Sequence, residues 1–251
     1  MKIRNNRPRQ SGFTLPELLI SLVLGLTLVG AVMSAYLTTL KSSGDNNEQA
    51  QLNHNLRASL DLILSDLKRA GGLAESTLPA TMGNLQTLYR DNPFTDAVSN
   101  LKLWNCNAAN ECTCVTYSYD QDGDNDPYTG GMNHYGFSLD DTQRLRLRRG
   151  ATVTAAGPHP GCDYAVGNVW ESLTEDDIQI TQFIISYIDG NGNILAEPGA
   201  INIPDGDPCV SGDTCIEERN LQVTISGTKD EFSLTVTGKV RVRNDRYFIK
   251  P

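Results

Sequence analysis

Three groups of residues in this chain have the types and spacing to do chemistry. The first is Gly12, Phe13 and Glu17, at the start of an uncharged, largely apolar run in which Glu17 is the lone charge before Lys41. A carboxylate inside a bilayer costs on the order of 3 kcal/mol near the centre, so it asks for a partner. A cut after Gly12 would create an amine at Phe13, one helical turn from Glu17. One subunit's amine could then neutralise the next subunit's carboxylate. The second group is Asp120, Asp122, Asp124 and Asp126, alternating around Gly123. Carboxylates converging on a curled segment suit calcium, which takes six to eight oxygen ligands at about 2.3–2.6 Å. The third is six cysteines, Cys106, Cys112, Cys114, Cys162, Cys209 and Cys215, all downstream of the apolar run. An even set in an oxidising compartment reads as disulfides, in any of about 15 connectivities. Cys209–Cys215 closes a short loop and is the first pair, with Cys106–Cys112 and Cys114–Cys162 as the remainder. Spacings of C-x5-C and C-x-C are not those of zinc sites.

Catalysis finds less support. His54, His134 and His159 are scattered, the first on a helical pattern and the other two in expected loops, and no nucleophile or nucleotide-binding pattern accompanies them. The expectation is a protein that is not an enzyme and requires no cofactor, with calcium as the one candidate ion.

The elements that must position these groups are legible in outline. Residues 13–40 are long enough to cross a bilayer, which takes about 20 apolar residues. Residues 41–49 are polar. Leu52, Leu56, Leu60, Ile63, Leu64 and Leu67 then recur at helical spacing, and Gly71-Gly72 supplies a stop. One helix from Phe13 to about Ala70 is expected, more than about 80 Å long at 1.5 Å per residue. Gly25, Gly30 and Gly44 are its weak points. Beyond Gly72, residues 113–119, 144–149, 178–189, 221–226 and 232–243 read as strands. Residues 189–193 and 227–231 read as hairpin turns. Tyr117, Tyr119, Tyr128 and Tyr135 are candidates for a contact surface or, more commonly, for core packing. Helix first and antiparallel strands afterwards is an α+β order. The domain plan is a basic leader over 1–12, a transmembrane or filament-core helix over 13–40, its amphipathic continuation over 41–70, and a β-rich globular domain over 71–251.

The pattern Gly12-Phe-Thr-Leu-Pro-Glu17 followed by an apolar helix resembles the N-terminal signal of type IV prepilins and pseudopilins. The resemblance implies that a prepilin peptidase cuts after Gly12 and methylates Phe13, and that Glu17 is the intersubunit carboxylate. It also implies a pilin fold, one long helix packed on an antiparallel sheet with long loops. The segment 170–174, the segment 178–183 and the ending 240–246 resemble PilW-type minor pilins. The implied role is initiation or assembly of the pilus with other minor pilins, the major pilin and the assembly platform of the inner membrane. As plain structure, these segments are strands and turns, with Arg241 and Arg243 on a solvated face and Glu171 and Thr174 as a cap.

Charge fixes the expected orientation. Lys2, Arg4, Arg7 and Arg9 precede the apolar run without an acid, so the leader should stay cytoplasmic and the rest lie in the periplasm, and later on a pilus at the cell surface. Losing those four cations takes the formal net charge from −9 to near −13, poorly suited to binding nucleic acid. The acidic segment resembles the start of an EF-hand loop, but Asn125 stands where glycine is normal and Gly131 where a closing glutamate belongs. A solvated acidic turn remains open beside calcium. Two other functions remain open: a minor pseudopilin of a type II secretion system, and an adhesin presenting the loops 89–114 and 120–135.

Overall fold

The computed structural model describes residues 12–73, 92–96, 99–128, 133–151, 161–162, 168–203 and 206–251. The leader cations Lys2, Arg4, Arg7 and Arg9, as well as Gly131 and His159, lie outside the described residues, as do parts of both loops considered for adhesion.

The apolar and amphipathic stretches form one helix, α1, over Leu15–Leu67. Its first turn is capped from within. Thr14 donates both its backbone N–H, at 3.0 Å, and its hydroxyl, at 2.9 Å, to Glu17 Oε2, while the Thr14 carbonyl accepts from the Leu18 N–H. This is the glutamate half of a capping box, which satisfies a donor that a helix start otherwise leaves free. Pro16 lies in that first turn, where its missing N–H costs nothing.

The chain divides into two compact units after Glu48. In the first unit the described residues are helical from Leu15 onward, and their large apolar side chains, from Phe13 through Leu40, are all exposed. Among the described residues, α1 is the helix long and apolar enough to cross a membrane, with a mean hydropathy of 2.3 in its most apolar window.

In the second unit, α1 residues Leu52, Leu56, Leu60, Ile63 and Leu67 are buried against a nine-stranded antiparallel sheet. Its strands are β1 (Lys102–Cys106), β2 (Cys112–Ser118), β3 (His134–Leu139), β4 (Leu145–Ala151), β5 (Asn168–Ser172), β6 (Gln179–Ile188), β7 (Ile194–Leu195), β10 (Asn220–Lys229) and β11 (Phe232–Arg241). The order runs β11-β10-β6-β2-β3-β4-β5, with β1 added to β2 and β7 to β6. A smaller sheet orders β12 (Arg246–Ile249), β9 (Thr214–Glu218) and β8 (Gly199–Asn202). The architecture is α+β, a long N-terminal helix packed on an antiparallel sheet. Alternation along β10 sends Leu221, Val223 and Ile225 inward and Gln222, Thr224 and Ser226 outward, as a strand with one wet face requires.

One expectation about turns holds and two about local structure are corrected. Residues 189–193 do turn between β6 and β7, with Asp189 capping Asn191 and Asn193 N–H groups. Residues 227–231 are not all turn: Gly227 to Lys229 continue β10 after a bulge, and the reversal falls at Asp230-Glu231. Gly227 is there for the helix instead, since a Cβ on it would lie 3.0 Å from Leu56 Cδ2. Glu171 and Thr174 form no cap either. Glu171 pairs within β5 against Leu147, and the Thr174 hydroxyl is buried without a partner among the described residues.

The end of α1 is tied down by its surroundings. Gly71 takes φ +72°, donates its N–H to Ser118 O at 2.7 Å, and accepts Asn92 Nδ2 at 2.8 Å. The Lys68, Ala70 and Gly72 carbonyls accept from Arg243 N, Asn244 Nδ2 and Asp120 N. Arg219, fully buried, donates to Asn100 Oδ1 at 2.6 Å and to the Asn244 carbonyl, bracing two of the segments that reach the helix end. A Cβ on Gly71 would sit 3.0 Å from Thr95 Cγ2 in a left-handed backbone that only glycine adopts cheaply. Gly71→Ala should therefore lower stability by about 1–3 kcal/mol, read as a fall in urea midpoint with an unchanged slope.

Candidate functional site

Gly12, Phe13 and Glu17 stand at the free start of α1. Gly12 and Phe13 are exposed, and nothing among the described residues lies within 4 Å of the Gly12 Cβ position. Both Thr14 donors converge on Glu17 Oε2, and Oε1 has no partner among the described residues. The helix start thus holds the carboxylate by one oxygen and presents the other. Around it, Leu15, Leu18, Leu19, Ile20 and Leu22 are all more than half exposed. An apolar surface of that kind must be covered, and a lone carboxylate within it must be met by a cation or a donor once water is excluded.

The acidic segment leaves β2 beside the helix end and leads toward β3. Asp120 Oδ1 accepts the Gly123 N–H at 2.8 Å, and Gly123 and Asn125 both take positive φ, so the chain curls. Asn133 clamps the curl: its Oδ1 accepts from Gln121 N, and its Nδ2 donates to Asp126 O at 3.0 Å and, more distantly, to Asp122 Oδ1. Carboxylate oxygens of Asp120, Asp122 and Asp124 lie within 4.8 Å of one another. Asp126 stands apart from that group, its carboxylate capping the Tyr128 N–H. Three converging carboxylates could hold a hard divalent cation, with backbone oxygens and water completing its shell.

His134 was expected in a loop and is instead the first residue of β3, buried, with Nε2 2.7 Å from the Pro127 carbonyl. Its Nδ1 finds no partner among the described residues. Burial, opposed by the bond to Pro127 and aided by the nearby Arg148 cation, lowers its pKa to about 4. Neutral His134 therefore acts as the clasp between the acidic segment and the sheet.

The aromatic side chains near the segment serve packing. Tyr117, Tyr119 and Tyr135 are buried, with the Tyr119 and Tyr135 rings stacked at 4.3 Å. The Tyr117 hydroxyl donates to Asp66 of α1 at 2.5 Å, which pins the helix to β2. Burial, Asp66 and the neighbouring phenols push the Tyr117 pKa well up. His54 is exposed on α1.

All six cysteines are paired, as Cys106–Cys112, Cys114–Cys162 and Cys209–Cys215. The first joins directly opposed residues of β1 and β2, the second carries β2 to residue 162, and the third closes the loop before β9. In the chain-entropy account, the separation of 48 residues gives about 4 kcal/mol and the separations of 6 about 2 kcal/mol each. Two fully buried arginines escaped notice in the sequence. Arg148 donates to the Gly161 and Tyr135 carbonyls, and Arg219 braces the helix end. In sequence each is one more arginine in a polar stretch.

Comparison with known proteins adds two findings. The model of the family described as prepilin peptidase-dependent protein B matches residues 45–243. The model of the prokaryotic N-terminal methylation motif matches residues 7–33. No curated protein and no solved structure matches the chain.

The His134 clasp carries a signed pH dependence. Its folded pKa of about 4 lies below the usual 6.5, so the unfolded chain binds the extra proton first as pH falls. Its contribution is whole above pH 6.5 and is lost progressively down to pH 4, in total about 3 kcal/mol. Urea titrations between pH 7 and pH 4 should show that decline, and His134→Gln should flatten this part of it.

Proposed function

Because the chain belongs to the prepilin peptidase-dependent protein B family and carries the N-terminal methylation motif, we propose that it is a minor pilin of the PilW type that helps initiate and assemble a type IV pilus. The peptidase cuts after Gly12 and methylates Phe13. The leader stays cytoplasmic, α1 anchors the subunit in the inner membrane, and the second unit lies in the periplasm until the subunit enters the filament. Its partners are other minor pilins, the major pilin and the assembly platform. It works by packing, without a chemical step of its own and without nucleic acid.

The observation that carries this reading is the start of α1: an exposed apolar helix whose one carboxylate keeps Oε1 free while Thr14 holds Oε2. In a filament, the Phe13 amine of a neighbour meets that oxygen where water is excluded. The ion pair then selects the axial register, and burial of the surrounding leucines supplies most of the affinity, at about 25 cal/mol per Å² of apolar surface. Pairing matters because a stranded buried charge costs about 3–5 kcal/mol. The reading extends to calcium at Asp120, Asp122 and Asp124, supported by the convergence of their oxygens. An ion there would stiffen the segment whose Asp120 N–H holds the Gly72 carbonyl, and with it the helix end.

Two measurements test this. Glu17→Ala should cut sheared surface pili at least tenfold and leave exoprotein secretion normal, with the globular unit still folded by thermal melting. Wild-type pilus yield would reject the role, and loss of secretion with normal pili would move the protein to a secretion pseudopilus. Calorimetric titration of the purified protein should give a calcium heat that Asp122→Asn weakens at least tenfold. No heat at millimolar calcium would remove the ion from the account.

A further inference from the structure

The two sheets of the second unit leave a cleft of about 840 Å³ between β1, β6 and β7 on one side and β8, β9 and β12 on the other. That volume falls within the roughly 300–1,000 Å³ of small-molecule sites. Tyr187, Asn100, Glu217, Arg246, Phe248 and Lys102 line it.

Two of these groups are polar, more than nine-tenths buried and unfinished. Tyr187 is 8 % exposed, and its hydroxyl makes no hydrogen bond among the described residues. Burial first, then Glu217 and Glu197, push its pKa up, with Arg219 and Arg246 opposing them. Asn100 is 6 % exposed. Its Oδ1 accepts from Arg219 at 2.6 Å and from the Leu101 N–H at 2.8 Å, while its Nδ2 has no partner among the described residues. Neither atom is sealed from water, so each meets solvent in the cleft and can exchange it for a ligand group. Beside them Glu217, 7 % exposed, pairs with Arg246 at 3.2 Å, and the Arg246 guanidinium lies 4.9 Å over the Phe248 ring.

The wall therefore offers donors (Asn100 Nδ2, Arg246, Lys102), acceptors (Glu217), a group of both senses (Tyr187) and apolar ring surface. This pattern excludes simpler occupants. A purely apolar ligand would seal in Asn100 and Tyr187 unpaired. A small cation would face Arg246 and Lys102, and a compact anion would face Glu217. A pyranose ring, with hydroxyls that both give and accept around an apolar C–H face, matches each of these groups. We propose that this cleft is a saccharide-binding site sized for one or two sugar rings, with Tyr187 and Asn100 completing their hydrogen bonds on sugar hydroxyls. The site does not include the start of α1 on which the assembly role rests, so the subunit would carry a ligand as well as build a filament.

The test uses the full-length protein in lipid nanodiscs, since maltoside detergents present the same chemistry as the ligand. Wild type is screened on an array of neutral and acidic mono- and disaccharides, and the strongest sugar is then titrated by calorimetry. The expected result is saturable binding to at least one sugar, weakened at least tenfold by Tyr187→Phe and by Asn100→Asp. Both changes keep the side-chain shape, and Asn100→Asp keeps the oxygen that Arg219 uses. Melting temperatures that match wild type show that the fold survives. Should either variant fold poorly, Phe248→Ala at the opposite wall serves in its place. Absence of any sugar bound by wild type overturns the site, and so does binding that these variants leave unchanged. Normal piliation in Tyr187→Phe would confirm that this function is separable from assembly, and a piliation defect with no sugar binding would instead make the cleft a contact for another subunit.

Discussion

The free carbonyls at the end of α1 are the constraint around which the globular unit is arranged. A helix leaves its last carbonyls without helical donors, and burying them unpaired would cost on the order of 1–3 kcal/mol each. Here the donors come from three places far apart in sequence: Asn92, the Asp120 backbone beyond β2, and the Arg243-Asn244 segment between β11 and β12. Arg219 then ties Asn100 to Asn244, so the donors hold one another as well as the helix. The turn at Gly71 admits all of this because glycine tolerates its positive φ and leaves room for Thr95 and Arg219.

With the helix end fixed, the sheet can come close to its barrel. Gly227 and Gly238 sit beneath Leu56 and Leu64, where a Cβ on Gly238 would lie 2.5 Å from Leu64 Cδ1. Small residues on β10 and β11 thus exchange side-chain volume for proximity, and Leu52, Leu56, Leu60, Ile63 and Leu67 fill the layer between. The Tyr117–Asp66 bond adds a polar anchor beside that layer, where half-buried Asp66 also pairs with Arg69. The pilin family's division of labour follows: the same helix that is dry and specific in its second half is bare in its first.

How much of this was written in the sequence depends on the range over which each element is decided. The leucine spacing from Leu52 to Leu67 and the Gly71-Gly72 stop gave α1 to within a few residues, because a helix is specified locally. The long strands β6, β10 and β11 were legible from β-branched alternation, and the 189–193 turn from its Asp, Gly and Asn content. β8, β9 and β12 were not, because Gly199–Asn202, Thr214–Glu218 and Arg246–Ile249 are short and half-polar and exist by pairing with each other. Gly227 misled for a physical reason: glycine marks both a turn and a close approach, and only the position of Leu56 distinguishes them. At the helix start, Glu17 was legible from its isolation, while its bond to Thr14 rests on backbone geometry. The four aspartates were legible as a group. Their division into three that converge and one that caps Tyr128 was decided by Asn133 and by the curl at Gly123. Nothing local singled out Tyr187 or Asn100, since a cleft between two sheets is a property of the assembled domain.

Strand β2 has a further consequence that is mechanical. It is the strand to which α1 is bonded most directly, through Gly71 to Ser118 and Asp66 to Tyr117. It is also the strand that is covalently anchored twice, by Cys112 to β1 and by Cys114 to Cys162. A tensile load entering along the helix is handed to β2 and leaves it through sulfur bridges rather than through hydrogen bonds alone. To shear β2 from the sheet, such a pull must drag β1 and residue 162 with it. The domain therefore resists traction along the very path by which its anchor would transmit it, and reduction of the two bridges would convert a stiff link into an extensible one.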